Sequence, residues 1–342
     1  MKKKVIIILS GLLIVCLIMA VIIYRLLFGI SIYPDDKGST LFIPSESTYN
    51  QLIDTVKANL KLEKPELFDW FAQKKNLPVS IKPGKYVIKE SLSINKLINI
   101  LRSGRKTPTR ITFNNIRTLN QIAGKFGKQI EADSIHILNF FADESNYSAD
   151  GFTRETIISI FIPDTYEFYW DTDAKELYQR MLREYKLFWN EDRLRKADEK
   201  GLSPVEVAIL ASIIDDEVAK KDEKPRIAGV YLNRLKRGIP LQACPTIKFA
   251  LNDFTITRVL KVHLETESPY NTYKHNGFPP GPIGCPSIEG LDAVLNAEKH
   301  DYIFFAAKAD FSGFHNFSRT LSEHNRYAAQ YQRELNRRKI YK

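Results

Sequence analysis

Residues Val5 to Ile23, VIIILSGLLIVCLIMAVII, run nineteen positions without a charge, and no other feature constrains the fold of this chain as much. A helix of about that length spans the hydrocarbon of a bilayer, where every backbone polar group must be bonded within its own segment. A cleaved leader would have a shorter apolar stretch and a small-x-small exit, which Ile22-Ile23-Tyr24 does not offer. A lipobox at Leu13-Ile14-Val15-Cys16 fails on the bulky Val15. The sequence therefore predicts an uncleaved anchor over residues 5–28. Lys2, Lys3 and Lys4 make residues 1–4 a cytoplasmic tail, so everything beyond a linker at 29–39 is expected across the membrane.

The remaining chain belongs to a protein of 342 residues that is 44% hydrophobic and 26% charged, which suits one or two packed domains and argues against disorder. Its net charge of +10 is spread along the sequence, with no stripe of basic residues interleaved with aromatics. That pattern and the expected topology exclude nucleic acid as a partner. They leave a polyanionic envelope or membrane surface beside the simpler reading of a solvated basic exterior. Of the three cysteines, Cys16 lies in the apolar run, and Cys244 and Cys285 are too few for a disulfide framework.

TLFIPSESTYNQLIDTVKANL reads as a strand, a Ser-rich helix start and an amphipathic helix, and KPELFDWFAQKKN as a second helix. The next stretch repeats the grammar: Tyr86-Val87-Ile88 extended, Ser91 or Ser93 as a cap, Leu97, Ile98, Ile100 and Leu101 at helical spacing, and Gly104 as the stop. This pattern looks like a LysM-type carbohydrate-binding subdomain, expected over 40–108. Residues 109–200 read as a mostly helical connection, interrupted by FIPDTYEFYW, whose aromatics suggest a packed strand or a saccharide-facing surface, packing being the commoner explanation. From 201 to 342 the loops become rich in Pro, Gly, Asn and Tyr, as binding loops on a scaffold are.

Three acids in a row, Asp215, Asp216 and Glu217, follow the apolar run ILASII. Ser203, Pro204 and Glu206 form a helix start with a capping box. Advancing roughly 100° per residue from there places Leu210, Ile213 and Ile214 within roughly 60° of Glu217, with Asp215 nearly opposite and Asp216 at the flank. Either the helix frays after Ile214 and all three acids are solvated, or Glu217 is held against apolar side chains. Desolvation would then raise its pKa into a range useful for proton donation.

At this point the chain resembles a known family. LASIIDDEV, IAGVYLNRL, LQACPT, SPYNTY, GFPPGPI, GFHNF and SEHN are similar, in order, to the motifs of the endolytic murein transglycosylase, or YceG-like, family. The resemblance covers nearly the whole chain and implies that Glu217 is the catalytic residue. Two departures stand out: Asp215 where the family usually has Glu, and Cys244-Pro245-Thr246 where it has Asp-Pro-Thr.

What the resemblance implies is lytic cleavage of peptidoglycan. An acid protonates the glycosidic oxygen after N-acetylmuramic acid, then takes a proton from the sugar's C6 hydroxyl, leaving a 1,6-anhydro end. One carboxylate serves both steps. A hydrolase would need a second carboxylate, for which the sequence offers no clear candidate. Asn233, Arg234, Gln242, Thr246, Tyr270, Asn271, Thr272, Tyr273, His315 and His324 are the expected substrate contacts, their amides, hydroxyls and rings suiting acetamido sugars. His315 and His324 lack the spacing of metal ligands, and no cofactor is expected.

The expected fold class is α+β: an N-terminal transmembrane helix, a small LysM-like module and a mixed catalytic domain. The expected partners are glycan strands and the membrane, with peptidoglycan synthases a further candidate, since a non-cutting scaffold that recruits synthases is the competing reading. The expected location is the cytoplasmic membrane, single-pass, with the catalytic domain outside. Cys244 and Cys285 lie 41 positions apart in two motif-bearing loops. They either pair, which would stabilise by about 3–4 kcal/mol on a chain-entropy model, or are unrelated small core residues.

Overall fold

In a computed structural model the chain is described over residues 2–338. Met1 of the expected cytoplasmic tail and residues 339–342 of the expected catalytic region lie outside the described residues. The chain divides into two compact units. One runs to Ile111 and takes in Gln129–Ala132 and Glu167–Asp173; the other holds Thr112–Lys128, Asp133–Tyr166 and everything from Ala174 onward. Helices and strands mix in the α+β manner. The strands, among the described residues, form four two-stranded sheets, which pair β1 (Ile32–Tyr33) with β3 (Lys61–Leu62), β2 (Ser39–Ile43) with β4 (Gly84–Ile88), β5 (Thr109–Thr112) with β6 (Thr165–Phe168) and β7 (Phe304–Ala307) with β8 (His315–Ser318).

The first unit begins with α1 (Lys2–Phe28), in which Ile6–Phe28 is long and apolar enough to cross a membrane and has its most apolar stretch unburied by protein. After it come β1 (Ile32–Tyr33), β2 (Ser39–Ile43), α2 (Tyr49–Asn59), β3 (Lys61–Leu62), α3 (Pro65–Lys74), β4 (Gly84–Ile88) and α4 (Ile94–Ser103). Every second residue of β2 and β4 is buried, as a sheet with one covered face requires, and Leu41 pairs with Tyr86 across the antiparallel ladder. The helices close over that face, and Ile32, Leu41, Leu52, Phe68, Tyr86 and Leu97 belong to one core. Local chemistry sets the helix ends. Thr48 and Gln51 form a capping box on α2, Ser93 caps α4, and Gly104 stops α4 with a φ of 67° that a side chain would resist. The strand and helix order agrees with the sequence reading of this region; a LysM identity does not follow from it.

Strand β5 (Thr109–Thr112) leads on to α5 (Leu119–Phe126), α6 (Ser134–Ala142), β6 (Thr165–Phe168), α7 (Ala174–Phe188) and α8 (Glu191–Asp198). Phe161 and, in β6, Tyr166 and Phe168 are buried as packing demands, whereas Tyr169 beside them is 52% exposed. Then come α9 (Pro204–Glu217), α10 (Lys224–Lys236), α11 (Cys244–Ala250), α12 (Lys261–Leu264), α13 (Ile288–Leu295), β7 (Phe304–Ala307), β8 (His315–Ser318) and α14 (Leu321–Arg337). Helix α9 is the centre of the second unit. Ser203 and Glu206 make the capping box, Pro204 occupies the first turn, and Val207 through Ile214 are all buried, with α8, α10, α11 and α13 packed against the helix. A helix buried all round has no solvent face to spare. It therefore remains helical through Glu217 instead of fraying after Ile214.

Candidate active site

The three acids that end α9 go to three different places. Asp215 is half-buried and bound into the protein. Its Oδ1 accepts from Lys224 Nζ at 2.7 Å and from Ser287 Oγ at 2.8 Å, and its Oδ2 accepts from the Ser287 backbone N–H at 2.6 Å. The side of α9 on which the sequence reading placed Asp215, nearly opposite Glu217, is covered by α13 and the start of α10. Gly290 of α13 approaches so closely that a Cβ on it would stand 2.6 Å from Asp215 Oδ1. Asp216 is exposed and forms a two-pronged pair with Arg117, whose Nη2 lies 2.9 Å from Oδ1 and whose guanidinium covers the Phe254 ring at 4.7 Å.

Glu217 lines a cavity of about 370 Å³ shared with Tyr231, Arg234, Gln242, Cys244, Tyr273 and His324. The residue is half-buried. Burial pushes its pKa up to about 7, with Asp216 adding to the rise and Lys248 opposing it. The carboxyl is therefore largely protonated below neutrality, where an ordinary glutamate would be charged. Aromatic rings make much of the wall. Tyr231 is buried edge-on against Phe305 at 5.9 Å, and Phe304 stacks on His324 at 5.2 Å. Burial, followed by the Arg234 charge, holds His324 below its usual pKa, so it is neutral at pH 7. Burial raises the Cys244 thiol, whose Sγ lies 3.3 Å from Tyr273 Oη.

The raised pKa of Glu217 makes stability pH-dependent with a definite sign. A carboxyl that holds its proton more tightly when folded gives stability that is fully present below about pH 4.5 and lost as pH rises through about 7. A glutamine there does not titrate. The stability of the native chain relative to E217Q should therefore fall by about 2–3 kcal/mol between pH 4 and pH 8. Paired thermal unfolding in detergent at the two pH values would show this; a gap that does not move means the carboxyl is solvated.

Of the expected substrate contacts, Arg234, Gln242, Tyr273 and His324 meet Glu217 at this cavity. The others are placed elsewhere. Asn233 Nδ2 donates to the carbonyls of His300 at 2.6 Å and Tyr302 at 3.0 Å, tying down the approach to β7. Thr246 and Thr272 are buried and share a hydrogen bond of 2.8 Å, while Asn271 is fully buried with its Nδ2 donating to the carbonyls of Leu264 and Thr266. Tyr270 packs its ring on Phe249 at 4.7 Å, and His315 Nδ1 lies 2.8 Å from Glu223. These groups are engaged with partners inside the protein and do not line the Glu217 cavity. Tyr231, Cys244, Phe304, Phe305 and Asn325 also line it; Tyr231, Phe304 and Phe305 are ordinary packing residues in the linear sequence, and only the fold turns them inward. Cys244 and Cys285 are both free thiols, so the pairing considered from sequence is absent. Cys244 faces Glu217, and Cys285 is buried beside a separate cavity lined by Asn115, Arg117 and Ser287.

Comparison with known proteins places this geometry in context. The model of the YceG-like family matches residues 41–330. A Bacillus subtilis (strain 168) protein named endolytic murein transglycosylase is 28% identical over 305 residues, covering 84% of this chain and 83% of its own. A protein of the same name from Streptococcus pneumoniae (strain ATCC BAA-255 / R6) is 25% identical over 341 residues, covering 88% of this chain; the match spans only 60% of that longer relative. A crystal structure of a yceG-like protein from Listeria monocytogenes superposes with a TM-score of 0.54 at 26% identity, over 85% of this chain and 98% of the other.

Proposed function

The chain belongs to the YceG-like family, and from that premise we propose that it is a membrane-anchored lytic transglycosylase that cuts peptidoglycan glycan strands internally. Helix α1 holds it in the cytoplasmic membrane with its N-terminus inside, and both units work on the outer side. Residues 40–108 act as a LysM-like module that keeps glycan near the site. Glu217 gives its proton to the glycosidic oxygen joining N-acetylmuramic acid to N-acetylglucosamine. The C1–O bond breaks. The resulting carboxylate takes the proton of the muramic acid C6 hydroxyl, whose oxygen closes on C1, so Glu217 ends the cycle protonated and the strand ends in a 1,6-anhydro sugar. Such cuts limit how long a strand grows.

What carries this reading is a single carboxyl of pKa about 7 in an aromatic-walled cavity, with amide, phenol and thiol neighbours. A group poised near the working pH can both give and take a proton. The full chain in detergent, incubated with purified sacculi, should release muropeptides with anhydro ends detectable by mass spectrometry. Reducing ends would identify a hydrolase instead, and no release would leave only the scaffold.

A further inference from the structure

Arg234 is only 5% exposed, and among the described residues no carboxylate pairs with it. Its guanidinium is held by neutral acceptors: Nε donates to the Pro240 carbonyl at 2.8 Å, Nη1 to the Ile303 carbonyl at 2.8 Å, and Nη2 to Gln242 Oε1 at 2.5 Å. A guanidinium can only donate. The amide of Gln242 must therefore turn its oxygen toward Arg234, which leaves both N–H groups of Nε2 pointing away from it. Gln242 is exposed and lines the Glu217 cavity.

The backbone supports the same orientation. Gln242 has a φ of 53°, a left-handed conformation unusual for a side chain of its size. Thr272 pins it on both sides: the Gln242 N–H donates to the Thr272 carbonyl at 3.0 Å, and the Ala243 N–H donates to Thr272 Oγ1 at 3.0 Å. Strain of this kind persists only where surrounding contacts over-determine it, and it concentrates at binding sites. A buried cation behind the amide also polarises its N–H bonds, making them better donors.

We infer that Gln242 is a specificity residue whose Nε2 donates into the Glu217 cavity to an uncharged carbonyl oxygen of an amino sugar, and that Arg234 is the positioning residue acting through it. The inference rests on the transglycosylase reading. A carbonyl is the strongest neutral acceptor that such a polymer carries, and it has two sources there: the acetamido group of either sugar, or the lactyl amide of a muramic acid bearing a peptide stem.

Binding without turnover tests this. Full-length E217Q in detergent is titrated by calorimetry with chitotetraose, which carries acetamido groups only, and with a short glycan of alternating N-acetylglucosamine and stem-bearing N-acetylmuramic acid. Q242E is then added to it. The new carboxylate can still accept from Arg234 Nη2, so the melting temperature should hold, but both donors are gone and Kd should rise at least about tenfold. Loss with both probes identifies the acetamido oxygen; loss with the muramic glycan alone identifies the lactyl one. Q242M, of similar size and also without donors, should show the same loss if Q242E folds poorly. Binding within twofold of E217Q in both variants overturns the inference and reduces Gln242 to a rest for the guanidinium. Binding of neither probe by E217Q also overturns it, while sacculus digestion by the native chain separately decides the transglycosylase reading.

Discussion

Glu217→Gln should abolish glycan cleavage, by at least about 10²–10⁴-fold, while leaving the fold intact. The amide fills the same space at the end of α9 and keeps the cavity lined, but it has no proton to transfer. Asp216→Asn is the matched control. It removes a charge one residue away whose pair with Arg117 is partly exposed, a contact worth about 0–1 kcal/mol, so its activity should remain within a few-fold of the native chain. Soluble muropeptides released from sacculi per unit time give the readout for both. Equal activity in the two variants would remove Glu217 from the chemistry. The pH profile adds an independent mark. Because the first step needs the protonated carboxyl, the rate should fall as pH rises above about 7, well above the range in which an ordinary glutamate would already be ionised.

How much of this could be read from the sequence differs by element, and for physical reasons. The long apolar helix α1 was legible because nineteen uncharged residues have few alternatives. The start of α9 was legible because a capping box is local: Ser203, Pro204 and Glu206 decide it among themselves. The strands β2 and β4 were legible as short apolar runs, Leu41-Phe42-Ile43 and Tyr86-Val87-Ile88, but which of these residues face the core was not, since Phe42 and Val87 are as apolar as their buried neighbours. Asp215 shows where such reading stops. A helical wheel assumes one buried face, but Val207 to Ile214 are buried on every side, so the wheel could separate the directions of the three acids without saying what lies opposite Glu217. The partners Lys224 and Ser287 are 9 and 72 positions away and become neighbours only through folding. The motif residues divided for a related reason. Thr246, Asn271 and Thr272 carry the same polar groups as a sugar contact would, and their bonds to loop backbone or to each other are invisible in a linear chain. Cys244 and Cys285 share motif-rich loops, yet the loops lead them to different cavities.

The largest loss of stability is expected from Asp215→Ala. The carboxylate joins three elements of the second unit: it ends α9, accepts from Lys224 at the start of α10, and accepts from the side chain and backbone of Ser287, the N-cap of α13. The Asp215 and Lys224 side chains are 19% and 9% exposed. Removing one partner of so sheltered a pair leaves the other charge buried without compensation, which costs about 3–5 kcal/mol. A fall in melting temperature of roughly 10 °C should follow for a unit of this size. The excess over ordinary truncation comes from the stranded ammonium, so the double variant Asp215→Ala with Lys224→Met should recover much of it, as removal of both charges typically does. Asp215→Asn separates the hydrogen bonds from the charge, since its amide oxygen can still accept from Ser287. It should fall between the native chain and the alanine variant. Thermal unfolding of the four proteins in the same detergent distinguishes these outcomes. A melting temperature for Asp215→Ala within about 2 °C of the native value, or a double variant less stable than the single one, would mean that Lys224 finds water and that the apolar contacts of α9 alone hold the three helices together.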